Sequence, residues 1–144
     1  EPSFAGNTIR SRATTLRNRD GGPRRYGGGV RTSVTRAFTF EASHQLPFHS
    51  GKCKRLHGHG YRLEVTVTGP VADDGMVLDF AALKDVVHNT VIDRFDHQHL
   101  NDLVENPTAE VMAAEIWSTL VVTGLAVTRV RLWETADCMV EVTA

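Results

Sequence analysis

Cysteine is scarce in this chain, with Cys53 and Cys138 the only two. Two thiols are too few for a disulfide-stapled scaffold, and they fit a reducing, cytoplasmic setting in which Cys53 stays free. Long apolar runs are also missing. No stretch approaches the ~18–20 residues that a membrane-crossing helix needs, and no apolar segment follows the basic start as a secretory signal would require. Beyond residue 36 there is no basic stripe. The formal charge of −1 divides into +6 over residues 1–36, where eight Arg stand against Glu1 and Asp20, and −7 over the rest. That division argues against nucleic acid as a partner, because the acidic part offers phosphates no cationic face. Aliphatic periodicity is absent from residues 1–32, which are rich in Arg, Gly, Ser and Thr and broken by Gly21-Gly22-Pro23 and Gly27-Gly28-Gly29. Such a segment buries too little surface to offset its ordering entropy, so a disordered extension is expected there.

The remainder, residues 33–144, reads as one domain with one core. Period two runs through Val34, Arg36, Phe38, Phe40, Ala42 and His44, with Thr39, Glu41 and Ser43 on the other parity. This predicts a strand that carries His44 on its apolar face. After a loop from Gln45 to Lys52, a second run places His57, His59, Tyr61, Leu63, Val65 and Val67 on one parity. Two such strands joined by a moderate loop pair antiparallel most simply. Gly69-Pro70 ends the second strand and Asp73-Asp74-Gly75 forms a turn. Asp79 can cap a helix with the stripe Phe80, Leu83, Val87 and Val91. Asp93 to Asn101 reads as a polar connection. Asn106-Pro107 suggests a second helix with Asn106 as its cap, continued by Ala113, Ile116, Trp117, Leu120 and Val121 and closed by Gly124. Val130, Leu132 and Glu134 share one face of a third strand, and Met139 to Val142 give a fourth. The expected fold is α+β, ββααββ, with two helices backing a four-stranded antiparallel sheet.

Three histidines of matching parity on facing strands change what each would mean alone. His44, His57 and His59 supply the ligand count of a catalytic zinc site, which leaves a fourth position for water or a substrate oxygen. Cys53 could close that tetrahedron, or stand beside the metal as a general base. The flanking Lys52, Lys54 and Arg55 suit an anionic sulfur and could hold phosphate groups. Glu134 ends an otherwise apolar strand face, where a carboxylate is costly unless it is hydrogen-bonded or serves a ligand. His97 beside Asp96 offers an acid/base with a carboxylate neighbour, although adjacent residues point the same way only in a loop. His49, His88 and His99 read as surface residues.

Six ordered motifs carry a resemblance: Phe40-Glu-Ala-Ser-His44, Cys53-x3-His57-Gly-His59, Gly75-Met-Val-Leu-Asp-Phe80, Asp96-His97-x2-Leu-Asn101, Asn106-Pro-Thr-Ala-Glu110 and Glu134-Thr135. Over residues 34–144 the chain resembles the 6-pyruvoyl-tetrahydropterin synthase superfamily. The three residues between Cys53 and His57 look like its bacterial 6-carboxytetrahydropterin synthase branch. The loop from His44 to Cys53 is short for that branch, and the Arg/Gly-rich start is not a family feature. The resemblance implies a tunnelling fold and zinc on His44, His57 and His59. It implies a catalytic group of Cys53, Asp96 and His97, and a pterin anchored by Glu134 with Thr108 and Glu110 near it. The implied substrate is 7,8-dihydroneopterin triphosphate, converted to 6-carboxy-5,6,7,8-tetrahydropterin with loss of acetaldehyde and triphosphate. Two alternatives are a 6-pyruvoyl-tetrahydropterin synthase reaction and a zinc- and pterin-binding module without turnover. Trimers stacked as a homohexamer, with active sites between subunits, would let Asp96 and His97 reach Cys53 across an interface.

Overall fold

The computed structural model describes residues 19–21 and 29–144. Most of the extension expected over residues 1–32 therefore lies outside the described residues. Strand β1 spans Thr32–His44 and β2 spans His57–Gly69, and they pair antiparallel along their whole length, from Thr32 opposite Gly69 to His44 opposite His57. Alternation is clean where it matters. Phe38, Phe40, Ala42 and His44 of β1 are buried, as are Tyr61, Leu63, Val65 and Val67 of β2. The period of two thus turns one face of the hairpin inward, and the three histidines go with it.

Helix α1 spans Phe80–Val87, with the Asp79 carboxylate accepting the Ala81 N–H at 2.6 Å as the expected cap. It continues through one wide turn, His88–Ile92, in which the Asp93 N–H reaches the His88 carbonyl, and ends in a last turn at Asp93–Phe95. Leu83, Val87, Val91, Ile92 and Phe95 are the buried positions along this run. A two-residue strand, β3 at Gln98–His99, follows. Helix α2 spans Ala109–Val121 and buries Met112, Ala113, Ile116 and Leu120. It is capped by Thr108, whose Oγ1 accepts the Val111 N–H at 3.3 Å, and not by Asn106. Gly124, at φ 83°, reverses the chain in the left-handed region where glycine carries no Cβ penalty. Strands β4 at Val127–Trp133 and β5 at Met139–Thr143 complete the chain.

The sheet has five strands in the order β3-β1-β2-β4-β5. Four are antiparallel neighbours, as the pattern predicts. The fifth corrects it: β3 lies parallel to β1, with Ala42 beside Gln98 and Ser43 beside His99, so the sheet is mixed. The segment Asp93 to Asn101, expected as a polar connection, supplies a helical turn and an edge strand, and two residues are too short to show a period. The core is continuous between sheet and helices, from Phe38 and Phe40 through Leu83, Phe95 and Ile116 to Leu132. Phe40 stacks on Tyr61 with centroids 4.9 Å apart and planes 9° from parallel, a contact worth ~1 kcal/mol beyond its buried area. No helix among the described residues is long and apolar enough to cross a membrane.

Candidate metal centre and active-site cavity

His44 is the last residue of β1 and His57 the first of β2, set opposite each other, and His59 is set opposite Ala42. Gly58 between them keeps the strands close, since a Cβ there would stand 3.3 Å from the Ala42 carbonyl oxygen. One ring nitrogen from each of His44, His57 and His59 lies within 4.8 Å of the others. His44 Nε2 and His57 Nε2 are 3.1 Å apart. A tetrahedral site with metal–nitrogen bonds of ~2.1 Å has ligand atoms about 3.4 Å apart, so the cluster is close to ligand spacing.

The outer nitrogens of two rings are fixed by backbone. His44 Nδ1 lies 2.8 Å from the Pro107 carbonyl oxygen, and His57 Nδ1 lies 2.6 Å from that of Arg55. A carbonyl can only accept, so each Nδ1 carries the proton and each neutral ring turns its Nε2 lone pair inward. His59 Nε2 is buried without a hydrogen-bond partner, an orphan that a cation would satisfy. Burial lowers the His59 pKa below its ordinary value, with the Glu134 carboxylate opposing and His44 and His57 adding to the effect. Neutral imidazole is the form that ligates a metal. The donor set fits a divalent cation on three nitrogens. Among the described residues these three histidines are the group that comes together in this way, and Cys53 is not part of it.

A cavity of about 570 Å³ gathers four of the other expected residues, Cys53, Thr108, Glu110 and Glu134, on its wall. Cys53 sits in a single turn, Lys52–Lys54, held by the Leu46 N–H on the Cys53 carbonyl at 2.8 Å. Lys52, Lys54 and Arg55 are exposed. Thr108 uses an oxygen lone pair to cap α2 and keeps its own proton to donate. Glu134 follows β4 directly and belongs to both places. Its Oε1 lies 3.4 Å from His44 Nε2 and 3.7 Å from His59 Nε2, while its side chain also lines the cavity.

Asp96 and His97 are joined to each other but not to Cys53. His97 has φ 57°, in the left-handed region, and this turn brings its Nδ1 to 2.9 Å from Asp96 Oδ2. The other carboxylate oxygen accepts the Glu41 N–H at 2.9 Å, and the His97 N–H bonds the Glu41 carbonyl at 2.6 Å. The Glu41 N–H first, and His97 second, hold the Asp96 carboxyl below the usual carboxylate range. His97, at 78% exposure, lines a second cavity of about 450 Å³ with Glu41 and His59, and Cys53 is not on its wall.

Two other positions differ from their sequence reading. His88 is half-buried, edge-on to Phe38, and His99 is half-buried with Nδ1 3.1 Å from Ser43 Oγ. His49 is exposed as expected, but it also lines the Cys53 cavity, its Nδ1 accepting the Gly51 N–H at 2.8 Å. Sequence reasoning also gave no role to two residues. Asn101 clamps the chain just after His44 through paired bonds to Gln45 at 2.9 and 2.8 Å, and its place in a motif was the available signal. Tyr61 is fully buried, and its hydroxyl lies beside the Glu134 carboxylate without a bond of full hydrogen-bond geometry. Burial, then the Glu134 carboxylate, push its pKa far above the ordinary tyrosine value. Its parity marked it as core and nothing more.

The family model described as 6-pyruvoyl tetrahydropterin synthase matches residues 33–144. Among curated proteins, a 6-carboxy-5,6,7,8-tetrahydropterin synthase of Synechocystis is 44% identical over 101 residues, covering 64% of this chain and 77% of that protein. One of Rickettsia bellii is 37% identical over 134 residues, covering 75% of this chain and 97% of its own. A 6-pyruvoyl tetrahydrobiopterin synthase of Drosophila melanogaster is 36% identical over 107 residues, covering 60% and 62%. Among solved structures, the Caenorhabditis elegans 6-pyruvoyl tetrahydropterin synthase superposes with TM-score 0.71 at 25% identity, over 80% of this chain and 96% of that one. Because the match begins one residue into β1 and runs to residue 144, with the histidine cluster inside it, the chain belongs to the 6-pyruvoyl tetrahydropterin synthase family.

Proposed function

We propose that this protein is a zinc-dependent 6-carboxy-5,6,7,8-tetrahydropterin synthase of the cytoplasm. The reaction takes 7,8-dihydroneopterin triphosphate and water to 6-carboxy-5,6,7,8-tetrahydropterin, acetaldehyde and triphosphate. One observation carries the reading furthest: Glu134 stands against the histidine cluster and on the wall of the cavity that contains Cys53. Glu134, a carboxylate able to grip a ring edge, thus links the histidine cluster to the cavity that holds the thiol. The relatives that share 37–44% identity and bear this enzyme name support the choice of branch, as does the three-residue spacing from Cys53 to His57.

Zinc held by His44, His57 and His59 would supply a Lewis acid for the side-chain oxygens of the substrate. Glu134 accepts two N–H bonds from the pterin edge, as carboxylates do from a guanidinium. Thr108 donates its hydroxyl proton to the ring, and Glu110 stands beside it at the start of α2. The Cys53 sulfur removes a carbon-bound proton. His97, oriented by Asp96, relays protons to the departing groups. Since His97 and Cys53 line different cavities of one chain, the relay is read as reaching across a subunit interface, in trimers stacked as a hexamer.

The Drosophila relative keeps a second reaction in view, elimination of triphosphate to 6-pyruvoyl-tetrahydropterin. One experiment decides. Zinc-loaded protein is given 7,8-dihydroneopterin triphosphate and the products are identified by mass. Acetaldehyde in equal amount with a 6-carboxy pterin supports the proposal. A diketo side chain retained on the ring, without aldehyde, assigns the 6-pyruvoyl reaction. Tight pterin binding without turnover leaves a binding module.

A further inference from the structure

Tyr61 occupies the middle of the sheet with no exposed surface. Its ring stacks on Phe40 and meets His59 and His44 edge-on, with centroids 5.6 and 6.3 Å away. Phenylalanine would make all of these contacts. The hydroxyl, by contrast, is buried with the Glu134 carboxylate beside it and no bond of full hydrogen-bond geometry, and such a group carries a desolvation cost that calls for a partner.

The sheet register names that partner. Strands β2 and β4 pair Leu63 with Leu132 and Arg62 with Trp133, so the next step sets Tyr61 beside Glu134. Both side chains lie on the parity that faces the histidines. Apart from Tyr61, the contacts of the Glu134 carboxylate are with His44 Nε2 and His59 Nε2, at 3.4 and 3.7 Å. A cation on those nitrogens would occupy their lone pairs and leave them no proton to give. The Tyr61 O–H would then be the buried donor adjacent to the carboxylate.

We propose that Tyr61 is a positioning residue for Glu134: its hydroxyl donates to the carboxylate and holds it toward the cavity, as a ring anchor and not as a fourth metal ligand. This rests on the reading of Glu134 as the pterin anchor. It assigns the hydroxyl to ligand recognition and the ring to the core.

The test uses the full-length, metal-loaded protein as wild type, Tyr61→Phe, Glu134→Gln and the double variant. Three quantities are read for each: bound metal, thermal midpoint and affinity for neopterin by its fluorescence. Tyr61→Phe is expected to keep its metal and to melt close to wild type, because the ring contacts stay and the desolvation cost of the buried hydroxyl offsets most of the lost hydrogen bond. Its neopterin affinity should nevertheless fall about tenfold, the scale of one lost hydrogen bond to a charged group. The double variant should bind no more weakly than Glu134→Gln alone, since the two changes remove one linked interaction. Unchanged affinity in Tyr61→Phe beside a weakened Glu134→Gln overturns the Tyr61 assignment and spares the anchor. Losses that add in the double variant overturn it as well. Wild type that does not bind neopterin, or Glu134→Gln that sheds metal, overturns the anchor reading and the Tyr61 assignment together.

Discussion

His44 Nε2 lies 3.1 Å from His57 Nε2 while the opposite nitrogen of each ring faces a backbone carbonyl. The carbonyls of Pro107 and Arg55 claim the ring protons, so in the neutral state two lone pairs converge with no hydrogen between them. A bound cation resolves that repulsion, and it satisfies His59 Nε2 as well. Purified protein is therefore expected to hold about one zinc per chain, with His44→Ala, His57→Ala and His59→Ala each losing most of it by elemental analysis. Full occupancy in all three variants would remove the site.

How much of this was legible beforehand follows from where the information sits. The parity of His44, His57 and His59 could be read because burial on one face forces a period of two over many residues. The α1 stripe and the Asp79 cap were legible for the same kind of reason, a long repeat and a side chain with one job, although Phe80 at the start of the stripe is exposed. Strand β3 was not, since Gln98 and His99 are too few to repeat and owe their pairing to β1. The cap of α2 moved from Asn106 to Thr108 because Pro107 is buried with its carbonyl on His44, leaving the helix to start beyond it. The carbonyls that orient the histidines leave no trace in sequence, because every residue has one. Nor does the positive φ of His97, which resolves how two adjacent side chains come to face each other.

Cys53 lies outside the histidine cluster and on the cavity wall, which makes it the base and not a ligand under the proposed function. Cys53→Ala should retain zinc and pterin binding while turnover falls by about two to four orders of magnitude, the usual worth of a positioned acid/base. Iodoacetamide should label Cys53 faster than Cys138 and bound pterin should protect it. Loss of zinc with the thiol would return Cys53 to the coordination sphere.

Residues 1–31 are proposed to be dispensable. Strand β1 starts at Thr32, already paired with Gly69, and the family match starts one residue later. A chain beginning at Thr32 should keep its elution volume and its specific activity. A smaller assembly or an inactive enzyme would mean that the basic segment covers an interface.

Asp96 gives the fold a pH dependence of definite sign. Its pKa in the fold lies below the unfolded value of 3.8, because the ionised form receives the Glu41 N–H and the His97 ring. Its contribution to stability is thus fully present above about pH 4 and is lost as pH falls through the lower folded value. The carboxyl carbon of Asp96 should titrate below 3.8 by NMR, and moving the midpoint to 3.8 or above would show that the contacts to Glu41 and His97 are not kept in solution.

The separation of Cys53 from His97 within one chain gives the sharpest test of assembly. The two residues line different cavities, yet the proposed reaction needs both at one substrate. If each active site combines Cys53 of one subunit with Asp96 and His97 of its neighbour, Cys53→Ala and His97→Ala are both inactive alone but complement each other. When the two variants are unfolded, mixed in equal amounts and refolded, chance assembly gives about a quarter of the interfaces an intact Cys53 facing an intact His97. Activity near that fraction of wild type is the expected result, and it should disappear when the variants are refolded separately and then combined without exchange. A mixture as inactive as its parts would confine catalysis to single chains, and His97 would then have to reach Cys53 by a movement of the segment after α1.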